Sequence, residues 1–224
     1  MFLPGESQGW GMAAMCRRRG IPFVVDAAQS AGILPVSMEK LGADFIAMPG
    51  HKGLLGPQGT GLLLCRRIPE PLILGGTGSE SENQMMPEFL PDRAEAGTLN
   101  VPGIAGLDAG IRWVSRIGIG KIAEREQKAA RCCAKGLESL GMRVFWGPHQ
   151  SGTVSFVPAC DCEELAEELA KRGIAVRAGL HCAPMAHESA GTLGTGTVRI
   201  SFGHDAAPAR VRSFLNGLSK LLTR

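Results

Sequence analysis

The sequence predicts an α/β protein, with a mainly parallel sheet in its first part and a small α+β domain from residue 118 onward. Three observations predict it. Short apolar runs at 21–27 and 44–48 are separated by the spacing of a strand–helix–strand unit. The 31 glycines and 14 prolines exceed what a helical bundle uses and suit an α/β chain with many tight loops. Finally, 224 residues with 44% hydrophobic content are enough to build a real core.

Taken in order, residues 9–19 are compatible with a short helix ending at Gly20. Residues 21–27 read as a buried strand with Asp26 at its carboxyl end. A second strand is predicted at 44–48 and a third at 61–65, reached through the glycine-punctuated turn 53–59. Ligands of such sheets sit beyond the carboxyl ends of the strands, where both Asp26 and His51-Lys52 fall. Residues 68–100 are rich in Pro, Gly, Ser and Glu without a period and read as a long functional loop. Ile104, Leu107, Ile111 and Val114 mark one helix; Ile122, Ala129, Ala130, Cys133, Leu137 and Leu140 mark a second. Strands follow at 142–146 and 153–157, then a helix at 162–172 stopped by Gly173, strands at 174–176 and 197–202, and a terminal helix at 208–222. The domains are therefore expected at 1–117 and 118–224.

Composition excludes several classes of function. A net charge of +3 is too small and dispersed for a nucleic-acid groove. The longest apolar stretches fall far short of the ~20 residues of a membrane span. The first twenty residues lack the charged-then-apolar order of a secretion signal. Seven scattered cysteines, an odd number in a chain too large to need disulfide staples, point to reduced cytoplasm. Cys132-Cys133 and Cys160-x-Cys162 have no histidine at finger spacing, so no metal is expected. Residues 191–196 look superficially like a phosphate loop, but they lack its lysine and its strand-before-helix context and read as a flexible loop beside the site.

Asp26 and Lys52 place an acid and an amine at one sheet edge. That is the requirement of pyridoxal phosphate, which needs a lysine amine for its Schiff base and a carboxylate beside its pyridine nitrogen. By itself, Asp26 near a lysine fits a structural ion pair better.

The words around these residues narrow the choice. They are Val25-Asp26-Ala27-Ala28-Gln29-Ser30, Gly50-His51-Lys52-Gly53 and Gly56-Pro57-Gln58-Gly59-Thr60-Gly61, followed by Arg177-Ala178-Gly179-Leu180-His181-Cys182-Ala183-Pro184 and Val198-Arg199-Ile200-Ser201. In these, over nearly the whole chain, the sequence resembles the class V aminotransferase family of fold-type I pyridoxal-phosphate enzymes, and within it the cysteine desulfurases and selenocysteine lyases. The resemblance implies that the chain is the carboxyl-terminal portion of the family's large domain plus its small domain. It makes Lys52 the Schiff-base lysine and the base that removes the α-proton, Asp26 the pyridinium partner, Gln29 the hydrogen-bond partner of the phenolic oxygen and His51 a phosphate contact. Arg199 matches the arginine that clamps the substrate carboxylate through two parallel charge-assisted bonds. Cys182 matches the nucleophile, with His181 and Arg177 as neighbours able to lower or match a free-cysteine pKa of ~8.5, and Arg177 is expected to bind substrate alongside Arg199. Gly75-Gly76-Thr77 resembles the loop that reaches the cofactor phosphate of the other subunit, which implies a homodimer.

The resemblance thus implies a cysteine desulfurase that converts L-cysteine to L-alanine, forms a persulfide on Cys182 and passes sulfur to an acceptor or scaffold protein for cluster or cofactor assembly. Selenocysteine lysis, transamination and a non-catalytic remnant are the alternatives. Family members run to roughly twice this length, and the amino-terminal part of the large domain is the part without a counterpart here. Strand 23–25, central in the intact sheet, is then expected to become an exposed apolar edge. Pro49 stands where many relatives carry a hydroxyl that bonds the phosphate, and proline has no such donor.

Overall fold

The computed structural model describes residues 6–147 and 150–222. The chain forms two compact units, Met1–Ile119 and Gly120–Arg224, each with its own core. Among the described residues no helix is long and apolar enough to cross a membrane.

In the first unit, α1 (Glu6–Arg18) leads to β1 (Val24–Asp26), α2 (Met38–Leu41), β2 (Phe45–Pro49) and β3 (Gly61–Cys65). A long segment with one 3-10 turn, Asp92–Ala94, then runs to α3 (Val101–Ile117). Caps set the helix ends. The Ser37 hydroxyl accepts from the Lys40 N–H at the start of α2, and the Asn100 side chain accepts from the Gly103 N–H at the start of α3. Beta1 and β2 are parallel, with Asp26 opposite Ala47. The sequence predicts a mainly parallel sheet; β3 instead returns antiparallel to β2, because residues 50–60 form a compact turn with no crossover helix. The sheet order is β1-β2-β3, and Ile46, Ala27, Ala31, Ala43, Leu54 and Leu107 form the buried centre beneath it.

Strand β1 is the exposed apolar edge expected of strand 23–25, and not the buried strand that its apolar run alone predicts. It is only three residues long, lies at the sheet edge and leaves Val24 59% exposed, while Val25 packs towards Ile46. Alternation explains this: only one face of an outer strand meets the core.

The second unit comprises α4 (Ile119–Ser139), β4 (Arg143–Phe145), β5 (Thr153–Val157), α5 (Cys162–Ala170), β6 (Arg177–Gly179), α6 (Pro184–Ala190), β7 (Thr197–Ser201) and α7 (Pro208–Leu222). Its sheet is antiparallel throughout, in the order β4-β5-β7-β6. The central strands bury Val154, Phe156, Val198 and Ile200, which pack with Cys133 and Leu137 of α4, Leu165 and Leu169 of α5, and Val211, Phe214 and Leu218 of α7. Asp161 caps α5, its carboxylate accepting from the N–H groups of Glu163 and Glu164.

The strand predicted at 174–176 lies instead at 177–179. Gly173, at φ +72°, closes the exit of α5, and the Ile174 N–H donates back to Leu169 O, so the chain joins the ladder only at Arg177. The correction matters because it puts Arg177 itself into the sheet.

Glu126 is the exception in the second core. Its residue is 5% exposed on the buried face of α4, and burial pushes its carboxyl up to about 7, against a smaller opposing effect of the Gly152 N–H. A folded pKa above the unfolded one means that the native chain holds the proton between about 4.5 and about 7. Stability from this group is therefore fully present below that window, is lost as pH rises through it and is flat above. Glu126→Gln should remove a slope of order 3 kcal/mol, read as the difference between the two proteins in urea unfolding across pH 4 to 8. Parallel pH curves for the two would contradict this account.

Candidate active site

In the first unit the candidate residues gather at the carboxyl ends of β1 and β2. Because these strands are parallel and Asp26 lies opposite Ala47, Asp26 and the turn after Pro49 share one edge of the sheet. The Asp26 carboxylate is held in place by the Ala28 N–H, which donates to it at 2.8 Å. Asp26 also lines an open depression of about 740 Å³ with Ala47, Pro49, Leu63 and Glu95. His51, Lys52 and Gln29 are exposed, the first two on the turn after β2 and Gln29 in the turn after β1.

Close backbone approach ties these two turns together. A side chain on Gly32, at φ +82°, would meet Gly53 O at 2.1 Å, and one on Gly53 would meet Ala31 O at 2.3 Å. Only glycine fits at either position. The Lys52 turn is closed further by Gly50, whose N–H donates to Thr60 O at 2.7 Å and whose carbonyl accepts from the Gly56 N–H at 2.8 Å. Thr77 lies apart from this edge in sequence, half-buried in the long segment, where its hydroxyl is paired with that of Ser79 at 2.9 Å.

In the second unit Arg177 of β6 stands directly opposite Arg199 of β7. Like charges facing each other across a ladder destabilise it. Cys182, exposed on the turn after β6, lies with its sulfur 3.8 Å from Arg177 Nη2. Arg199 is half-buried and its Nε has no partner among the described residues. Burial and, next, Arg177 push its pKa down, whereas Cys182 pushes it up.

The turn that carries the thiol is strained. His181 (φ 52°) and Cys182 (φ 60°) are both left-handed and neither is glycine, while the Ala183 N–H donates to Leu180 O at 2.9 Å across them. Such residues cost about 1–3 kcal/mol each and persist where surroundings over-determine them. One restraint is the 3.0 Å hydrogen bond between His181 Nε2 and Thr197 Oγ1. Burial, then the charge of Arg199 and proximity to His187, push the His181 pKa down, so the imidazole is neutral at pH 7. Its Nδ1 is buried without a partner among the described residues.

Thr197 and the buried pair His187 and Thr192, whose side chains meet at 2.8 Å, lie outside every motif that the sequence offers. The one signal for them is the histidine itself, five residues after the thiol.

Comparison with known proteins is consistent across three kinds of relative. The model of the family described as "Aminotransferase class-V" matches residues 10–214. A probable cysteine desulfurase of Pyrococcus abyssi is 37% identical over 222 residues, 94% of this chain and 55% of that protein. Another, from Methanothermobacter thermautotrophicus, is 40% identical over 192 residues, 78% of this chain and 48% of its own. Among solved structures, the apo cysteine desulfurase of Thermococcus onnurineus superposes with a TM-score of 0.84 at 37% identity, covering 94% of this chain and 55% of that one. The S-sulfonic acid form of the Escherichia coli cysteine desulfurase CsdA gives 0.80 at 29% identity, covering 94% and 54%. The chain thus spans about half the length of the curated relatives it matches.

The glycine contact generates a direct test. Gly59, at φ +78°, has open space around it, whereas Gly32 abuts the carbonyl of Gly53. Gly59→Ala should cost about 1–2 kcal/mol from backbone strain alone, and Gly32→Ala at least about 2 kcal/mol more from the clash. Equal losses in urea unfolding would refute the close approach as the tie between the two turns.

Proposed function

Because this chain belongs to the class-V aminotransferase family, we propose that it takes part in the pyridoxal-phosphate-dependent removal of sulfur from L-cysteine, releasing L-alanine and leaving a persulfide on Cys182. The observation that carries this reading is the cluster of Arg177, Cys182 and Arg199, in which a thiol sits 3.8 Å from one guanidinium and the opposite arginine has an Nε without a partner among the described residues. The relatives that bear the name cysteine desulfurase support it. In this reading residues 1–117 form part of the cofactor-binding domain and residues 118–224 form the small domain with the nucleophile.

The donor set suits pyridoxal phosphate: an exposed amine at Lys52 and a fixed carboxylate at Asp26 on one sheet edge, with turns that admit only glycine at their contact. When bound, the cofactor supplies the electron sink that stabilises charge at the substrate's α-carbon. Lys52 would hold it and serve as the base for the substrate's α-proton. Asp26 would keep the ring nitrogen protonated, Gln29 would hydrogen-bond the phenolic oxygen, and His51 would contact the phosphate. Thr77 would serve the phosphate of a second copy in a homodimer.

Arg199 binds the substrate carboxylate by its planar fork, and Arg177 assists it and the thiolate. The neutral His181 receives the Cys182 proton. The thiolate then gives its electron pair to the substrate sulfur: an S–S bond forms, the Cβ–S bond breaks, and carbon keeps that pair and gains a proton, so the two sulfurs are oxidised as carbon is reduced to the methyl of alanine. The outer sulfur passes to an acceptor or scaffold protein, for iron–sulfur cluster or cofactor assembly. The seven free cysteines suit a reducing compartment, the cytoplasm.

The test uses the purified chain with pyridoxal phosphate and L-cysteine. Borohydride should fix the cofactor on the Lys52 peptide, and the Cys182 peptide should gain the mass of one sulfur. Cys182→Ser should abolish alanine release yet keep the cofactor, because a hydroxyl neither attacks sulfur at neutral pH nor holds a persulfide. Alanine from the Ser variant would favour transamination or another lyase, reaction with selenocysteine alone a selenocysteine lyase, and no reaction a non-catalytic role. Arg199→Met should weaken cysteine binding by about 2–5 kcal/mol and leave cofactor affinity unchanged; equal losses of both would place the carboxylate clamp elsewhere.

A further inference from the structure

The turn that presents Cys182 is braced from two sides, and only one brace belongs to the strands. On the β7 side Thr197 holds His181 through Nε2 at 3.0 Å. On the other side the His181 ring lies against that of His187, centroids 5.8 Å apart and planes tilted by 49°. His187 is 7% exposed, on α6 directly after the thiol, and is itself locked: its Nδ1 pairs with Thr192 Oγ1 at 2.8 Å. Thr192, 2% exposed, is fixed in turn, its N–H donating to His187 O at 2.8 Å and its carbonyl accepting from the Gly196 N–H at 2.8 Å. Gly191, at φ +66°, reverses the chain at the end of α6 and brings Thr192 back beneath His187.

This chain of contacts has a use that packing alone does not require. Two adjacent left-handed residues without a glycine have no local preference for their conformation, so the position of the sulfur depends on what holds the His181 ring. We propose that His187 and Thr192 are positioning residues for Cys182, acting through His181: the Thr192–His187 hydrogen bond fixes the imidazole on which the turn rests and so keeps the thiol beside Arg177. The charged and titratable groups facing His181 are Arg177 from β6, Arg199 from β7 and His187 from α6, with Cys182 next to it in the chain. Release of the ring lets the sulfur leave Arg177, and with it the positive charge beside the reacting thiol. The inference rests on the proposed role of Cys182, but the geometry it concerns is present without cofactor or substrate.

The experiment follows the rate of Cys182 alkylation by iodoacetamide against pH in the full chain, by peptide mass, with Cys160 as internal reference. Thr192→Val removes the hydroxyl at nearly constant shape, and His187→Phe keeps a ring without Nδ1. Both should slow Cys182 alkylation relative to Cys160 about threefold or more at neutral pH, as the sulfur loses its place beside Arg177. Thr192→Ser, which restores the hydroxyl, should return the profile to that of the parent, and Cys160 should not move in any variant. Profiles overlaying the parent for both Val and Phe variants, a Ser variant slowed as far as Val, or a matching slowing at Cys160 would each overturn the positioning role. Because alkylation needs neither pyridoxal phosphate nor cysteine, the outcome is independent of desulfuration: an unchanged rate in the variants with normal persulfide formation removes this inference alone, and slowed variants of a parent that forms no persulfide remove the functional reading alone.

Discussion

Two arginines on one rung of an antiparallel ladder set the terms for the second unit. Arg177 and Arg199 repel, and Arg199 is drawn partly out of water, which lowers its pKa. Such a pair is relieved by an anion, and a sulfur that ionises is within reach of one guanidinium. The left-handed turn at His181 and Cys182 is the local cost of bringing that sulfur there. Burial first, and then the charge of Arg199, lower the pKa of His181.

The sheet makes this arrangement rigid where it must be. Beta7 is a central strand, with Val198 and Ile200 buried on either side of Arg199, so the guanidinium projects from backbone that the core holds fixed. The thiol, by contrast, is on a turn whose position comes from side-chain contacts. In the first unit the division of labour is similar: Asp26 ends a strand, whereas Lys52 rides on a turn whose course is set by the contact of Gly32 with Gly53. Strands supply fixed charge and turns supply the groups that must react.

Much of this was legible in the sequence because apolar runs end where the chemistry begins. The strand at Gly61–Cys65, the strand at Thr153–Val157 and the helix at Pro208–Leu222 have the bounds that their patterns predict. Helix α6 was not legible, since seven residues opening on a proline give too short a window for a helical period. The apolar pattern places strand β6 three residues early because Ile174 and Val176 are apolar for packing rather than for pairing. The bond from His181 to Thr197 spans 16 residues and comes from tertiary structure, and so does the burial of Glu126, which interrupts an otherwise apolar helix face. Exposure of β1 follows from its place at the edge of the sheet, which its composition does not encode but which the family resemblance leads one to expect.

The central claim is that the opposed guanidiniums make an anion-attracting site around Cys182. The most direct measurement is the ratio of alkylation rates by iodoacetate and by iodoacetamide at each exposed cysteine of the same chain, at low ionic strength. The carboxylate reagent should be favoured at Cys182 relative to Cys132 and Cys160 by about tenfold, with the preference falling in Arg199→Met and on added salt. A ratio at Cys182 equal to that at Cys132 and Cys160, unchanged by Arg199→Met, would contradict the account.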